Sequence, residues 1–310
     1  MNRLLILLSL ALLLGTSLPL LAQEGEQAAA TGPLPVHSKD ISQLSPLEIL
    51  EDSLVYFADS MYTATIPEDR TTGNEQFVRV MKRFLKTEGS FKYPAAKLAT
   101  KIAVLNAPDK SFRIYNWEVT QASELGRYYG VIQMADGRIQ PLVDISDKII
   151  RGAEDSTFSG TRWFGSLYYN ILMQDIGGQP IYFLMGWNGN SLNSERKVVE
   201  AFGFNSKGEA QFGAPLFNII ERGKRRNVNR FVLEYQRGSR VSLNYDKEND
   251  KIIMDHCESQ IGDPAKKHTY IPDGTYDGLS WNGKQWIMAE NVLEIMDLKQ
   301  GNAPVDKPIK

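Results

Sequence analysis

The chain has 310 residues, of which 42% are hydrophobic and 23% charged, the make-up of a soluble globular protein long enough to bury a sizeable core. Its 35 Lys and Arg nearly balance 37 Asp and Glu, for a formal charge of −2, which argues against a general nucleic-acid binder or a polybasic membrane anchor. A single cysteine, Cys257, excludes an internal disulfide.

The N-terminus has the layout of a secretory signal peptide over residues 1–22. Asn2-Arg3 is a short basic start, Leu4 to Leu14 is apolar apart from Ser9, and Leu20-Leu21-Ala22 precedes Gln23. Cleavage is expected between Ala22 and Gln23. The rival reading is an uncleaved anchor, because Leu4 to Ala22 almost reaches the length of a membrane span. Gly15, Thr16, Ser17 and Pro19 weaken it, and no Cys follows the apolar run to carry a lipid. Export to the periplasm, the outer surface or the medium is therefore expected, with no membrane anchor after the leader is removed. Cys257 then needs to be buried and inert, or exposed and reactive; its place in Lys251 to Cys257 predicts burial on a strand.

Residues 23–44, rich in Ala, Gly, Pro, Gln and Glu, have no apolar period and are expected to form a disordered tether. A helical preface spans residues 45–90. Ser45-Pro46-Leu47-Glu48 is a capping-box pattern, and Leu47, Leu50, Leu54, Phe57 and Met61 follow at helical spacing. A second helix, from Pro67 to Thr87, carries Phe77, Val80, Met81 and Phe84 on its apolar side and Arg79, Lys82 and Arg83 on its wet side, with Gly89 as its stop.

From Phe91 the apolar period changes to two, and residues 91–296 read as an antiparallel β domain, followed by a C-terminal tail over 297–310. The first block holds runs at Ile102 to Asn106, Ser111 to Thr120, Arg127 to Ala135 and Arg138 to Ile145, with a hairpin turn at Asp136-Gly137. A second block places strands at Gly165 to Gln174, Gln179 to Trp187, Lys197 to Asn205 and Glu209 to Phe217. A third has Asn229 to Gln236, Ser239 to Asp246, Lys251 to Cys257 and Lys284 to Val292, with turns that include Asp273-Gly274 and Asn282-Gly283. The fold class is mainly β: antiparallel meander sheets, stacked as a sandwich or arranged as an irregular propeller, with two N-terminal helices covering an edge or end of the sheets.

Several runs resemble a family of exported proteins of Bacteroidota-type Gram-negative bacteria. They are Ser111 to Trp117, Tyr128 to Gln133, Gly186-Trp187-Asn188-Gly189, Phe212 to Phe217 and Tyr270-Ile271-Pro272-Asp273, in one order over about residues 45 to 290. The family has no assigned activity, so the resemblance implies export and brings no catalytic residue with it.

No catalytic motif is present in the sequence: no His-Glu-x-x-His, Gly-x-Ser-x-Gly, Walker loop or Gly-x-Gly-x-x-Gly after a strand. His37 falls in the tether and His268 in a polar loop. His256 is flanked by Asp255 and Cys257, and strict alternation along a strand puts it on the opposite face from both. No catalytic residue, metal ligand or cofactor is assigned. Asp144, Asp175, Asp255 and Asp277 fall at strand ends or turns, where Asp is common, and nothing selects a glycosidase-type pair among them. Trp117, Trp163, Trp187, Trp281 and Trp286, with the doublets Tyr128-Tyr129 and Tyr168-Tyr169, suit either a ligand platform or a core, and a core is the expected outcome. Arg222-Gly223-Lys224-Arg225-Arg226 reads as a solvated basic turn. The functional expectation is a non-catalytic envelope or secreted binding protein, with an unknown envelope ligand or protein as partner and no nucleic acid. The alternative is an extracellular, glycan-directed hydrolase using paired carboxylates.

Overall fold

Ser45 caps the first helix as its sequence predicts. The Ser45 backbone N–H donates to Glu48 Oε2 at 2.8 Å, and Glu48 N–H donates to Ser45 Oγ at 3.3 Å, closing both halves of the capping box. The structure is a computed structural model that describes residues 41–149 and 152–293. The leader, its cleavage site at Ala22 and Gln23, most of the tether including His37, and the C-terminal tail lie outside these residues. Of the tether, only Ile41–Gln43, a single 3-10 turn, and Leu44 are described.

Helix α1 (Pro46–Thr63) buries Leu50, Leu54, Ala58 and Met61, and α2 (Pro67–Lys86) buries Phe77, Val80, Met81, Phe84 and Leu85. Full burial of each large apolar side chain contributes roughly 1.5–3 kcal/mol. Gly73 sits where the two helices touch: a Cβ there would lie 3.1 Å from the Met61 backbone nitrogen, closer than packing permits without movement. Glu51, buried on the inner side of α1, accepts from Lys97 N, Leu98 N and the Tyr93 hydroxyl, so the helix clamps the segment that leads into the first strand.

Four strands follow as a meander, β1 (Ala103–Asn106), β2 (Phe112–Thr120), β3 (Gly126–Met134) and β4 (Ile139–Val143), hydrogen-bonded in that order. Strand β2 is apolar on both faces. Tyr115, Trp117 and Val119 pack on the helices. Phe112 and Ile114 pack the other way, on Tyr182, Leu184 and Phe202 of the second sheet. The helices thus cover a face of the first sheet, where the sequence reading put them at an edge or end. A doubly apolar strand needs cover on both sides, and the amphipathic helices supply one of them.

The second sheet comprises β5 (Phe158–Ser159), β6 (Leu167–Ile176), β7 (Gln179–Asn188), β8 (Ser194–Phe204) and β9 (Ala210–Phe212), in the order β5-β9-β8-β7-β6. The third contains β10 (Phe217–Glu221), β11 (Lys224–Val228), β13 (Leu243–Asp246), β14 (Lys251–Ser259), β15 (Tyr270–Trp281) and β16 (Trp286–Leu293). Between these, β12 (Arg230–Gln236) leaves the third sheet and pairs with β8 along Ser194 to Glu200. Between the strands of the described residues the pairing is antiparallel except where β10 meets β16 in parallel at Phe217 and Asn218, which joins the late meander to the earlier hairpin. A third apolar cluster joins the second and third sheets through Phe183, Met185 and Val199 on one side and Phe217, Ile252, Leu279 and Trp286 on the other. The three sheets thus pack face to face in chain order, with the helices on the outer face of the first, which is the mainly β, antiparallel meander class the sequence predicts.

Three local expectations change. The run from Glu209 to Phe217 breaks into β9 and β10 at Gly213, whose φ of +91° a Cβ-bearing residue rarely adopts. In the basic segment only Arg222-Gly223 turns, and Lys224, Arg225 and Arg226 lie on β11. Strand β15 has no counterpart in the sequence reading. Pro272, Asp273-Gly274 and Asp277-Gly278 look like breakers, yet Pro272 stays in register with Cys257 and a bulge absorbs Asp273-Gly274: pairing runs from Asp255 with Tyr276 straight to Cys257 with Pro272, leaving Asp273, Gly274 and Thr275 of β15 opposite His256.

Candidate functional site

A cleft of about 610 Å³ opens between β12 and the third sheet. Its floor is the exposed end of the third core: Ile219 on β10, Phe231 and Leu233 on β12, Met254 on β14 and Met288 on β16. Charged side chains rim it. Arg196 Nε donates to Glu234 Oε2 at 2.9 Å. Arg226, just outside, holds Glu154, Asp155 and Glu221 by its three guanidinium nitrogens at 2.5–2.9 Å, so two carboxylates of the rim are neutralised from behind.

The opposite corner is built from β14 and β15. His256 Nδ1 lies 2.8 Å from Asp277 Oδ2, and the Asp277 side chain is almost wholly buried. On the other side of the ring, Nε2 lies 3.6 Å from Glu258 Oε1. Glu258, Asp277 and Cys257 all line the cleft together with His256. The strict alternation expected of a strand, which kept His256 and Cys257 on opposite faces, fails here because the bulge between Asp255 and Cys257 interrupts the pleat. Burial lowers the affinity of His256 for a proton, but the Asp277 hydrogen bond and the charges of Asp277, Asp273 and Glu258 outweigh it, and the imidazole titrates above its ordinary value. Burial, with Asp255, Asp273 and Asp277 nearby, pushes the Cys257 thiol up to about 12, so it stays protonated at neutral pH.

The other residues weighed from sequence are brought to no common place. Asp144 accepts from Tyr128 N and Ser146 N, Asp175 from Gly178 N, and Asp255 from Ser242 N, each pinning a turn or a neighbouring strand. Asp277 alone of the four reaches the cleft. The tryptophans are spread through the three core layers. Trp117 donates to Asn74 Oδ1 in the first, Trp163 to the Tyr168 hydroxyl in the second, and Trp281 and Trp286 stand 5.5 Å apart in the third. Trp187 is half-buried against Tyr128. In each Tyr doublet one ring is buried and its neighbour is partly open. His268 stands on the 3-10 turn Lys267–Thr269, outside the lining of the cleft.

Two further groups escaped the sequence reading. Glu118, on β2, sits over Gly126, where a Cβ would clash with its carboxylate. Burial pushes Glu118 up to about 7; Arg237 opposes that shift and Glu195 and Asp144 add to it. Glu200 and Arg230 form a wholly buried pair, with Glu200 also accepting from the Tyr168 hydroxyl and the guanidinium lying 4.8 and 5.0 Å from the ring centres of Phe158 and Phe164. No family model, curated protein or solved structure matches the chain.

Proposed function

We propose that this is an exported, non-catalytic binding protein that takes a small ligand in the cleft between β12 and the third sheet. The cleft carries the reading. It joins an apolar floor to a rim of fixed charges, the combination that small-molecule sites present. Glu258, Asp277 and Glu290 give the rim an acidic bias that suits a ligand with an apolar body and amine or other donor groups. The leader pattern over residues 1–22 and the resemblance to exported Bacteroidota-type proteins support an address in the periplasm, on the outer surface or in the medium. Among the described residues, no helix is long and apolar enough to cross a membrane.

Two measurements test this. The purified protein screened against peptide and envelope-glycan arrays is expected to capture a ligand in a manner weakened by reversing the rim charge with Glu290→Arg; no capture, or capture indifferent to the change, overturns the cleft assignment. N-terminal sequencing of protein recovered from a Gram-negative host is expected to begin at Gln23. A chain beginning at Met1 in the cytoplasm overturns export.

A further inference from the structure

The imidazole of His256 is held as a metal-bound imidazole is held. Asp277 accepts at Nδ1, 2.8 Å away, from a side chain that is only 6% exposed. That contact keeps the proton of the neutral ring on Nδ1 and leaves Nε2 with its lone pair, the arrangement of carboxylate–histidine–metal triads. Nε2 faces Glu258 Oε1 at 3.6 Å, and one ligand atom each from His256, Glu258 and Asp273 lies within 4.8 Å of the other two. Asp273 is likewise oriented. Thr275 donates to its Oδ1 through both the backbone N–H and the hydroxyl, each at 2.8 Å. The bulge that pushes Asp273 toward His256 depends on Gly274 at φ +94°.

From this geometry we infer that His256, Glu258 and Asp273 form a site for a first-row transition-metal dication, zinc foremost, at the mouth of the cleft, with Asp277 as the positioning residue. One imidazole and two carboxylates suit zinc and its neighbours, whereas calcium and magnesium favour oxygen ligands throughout. Ligand atoms about 2.0–2.2 Å from a tetrahedral zinc stand roughly 3.4 Å from one another. The His256–Glu258 separation of 3.6 Å is already near that, and the exposed Glu258 side chain can close the remainder by rotation. Charge balance points the same way. Among the described residues, the carboxylates around His256 have no Lys or Arg within ion-pair distance, while Glu154, Glu221 and Glu234 on the same rim each have an arginine. Three protein ligands leave a coordination position open toward the cleft, where a donor group of a ligand would bind.

The site is tested by the metal itself, whatever else the cleft takes, so its failure and that of the binding reading are separable. Untagged protein, stripped with chelator and dialysed, is titrated with zinc chloride by calorimetry, and with calcium chloride in parallel. One zinc per chain is expected, with a dissociation constant of about 1 µM or tighter, and no comparable calcium binding. His256→Ala should weaken zinc at least 100-fold, and Asp277→Asn about 10–100-fold, as loss of an orienting carboxylate does elsewhere. Glu258→Gln alters a side chain that is 70% exposed, so weakened binding in that variant cannot be put down to misfolding. His268→Ala, outside the cluster, should change nothing. Absence of saturable zinc binding, preference for calcium, or zinc binding that survives both His256→Ala and Glu258→Gln overturns the assignment.

Discussion

Glu200 with Arg230, and Asp277 with His256, are both carboxylate–cation pairs on neighbouring strands, and they serve different ends. Arg230 and Glu200 are fully buried, and every direction around them is closed by protein: Tyr168 on the carboxylate, two phenylalanine rings on the guanidinium, and the Ala153 carbonyl accepting from Nη1. Such a pair fixes geometry, and its complete burial keeps it out of reach of a ligand. His256 is satisfied on one nitrogen only, and its second nitrogen faces the cleft and two further carboxylates. The difference shows how a closed polar network can be told from a site: by the unspent valence on its solvent side.

The comparison can be broken first at its buried half. Arg230→Met leaves Glu200 without its cation in the interior, and denaturant unfolding should show a loss of about 3–5 kcal/mol. Adding Glu200→Leu should recover much of that loss, because the stranded charge is then gone. If the single change proves harmless, the network is not the fixed point described here. Glu118 lies between the two extremes, half-buried with Arg237 near but, among the described residues, without an ion pair at contact distance. Its raised value means that the folded state holds the proton more tightly than the unfolded chain. Stability should therefore fall as pH rises from about 4.5 through 7, and Glu118→Gln should remove the decline. At pH 8 the variant is expected to gain at most about 3 kcal/mol over the parent, and at pH 4 to match it in thermal melts. His256 should give the smallest effect on stability. Its raised value adds stability in acid that is lost as pH rises through the imidazole titration, and His256→Gln should flatten that slope while changing neutral-pH stability by less than about 1 kcal/mol. A larger loss at neutral pH would place His256 with the closed network instead of the open one.

The mainly β architecture was legible to a large extent because its signals are local. Ser45 and Glu48 meet within one helical turn, Phe77, Val80, Met81 and Phe84 repeat at helical spacing, and Asp136-Gly137 turns the hairpin between β3 and β4, so each element announces itself over a few residues. Single polar contacts stitch the first and second sheets together: Asn116 Oδ1 accepts from Tyr168 N, and Gly189 N donates to the Tyr128 hydroxyl. The candidate site was not legible. His256 was visible, but two of its partners, Asp273 and Asp277, lie on β15, and that strand hides behind Pro272, Asp273-Gly274 and Asp277-Gly278, residues that break strands elsewhere and here sit within one. Glu118 and Glu200 gave no signal at all, because an isolated glutamate at an alternating position looks the same whether it faces water or a second sheet.

Sequence by itself determined the secondary structure of most of the chain, the mainly β class and the pairing of consecutive strands, since side-chain periodicity, capping and turn chemistry act over short stretches. Tertiary structure alone decided that the helices cover a face of the first sheet, that β12 leaves the third sheet for the second, and that Asp273, Asp277 and Glu258 gather around His256. Those outcomes depend on which apolar faces meet and on where one strand bulges against another, and neither is encoded within the reach of a single turn or strand.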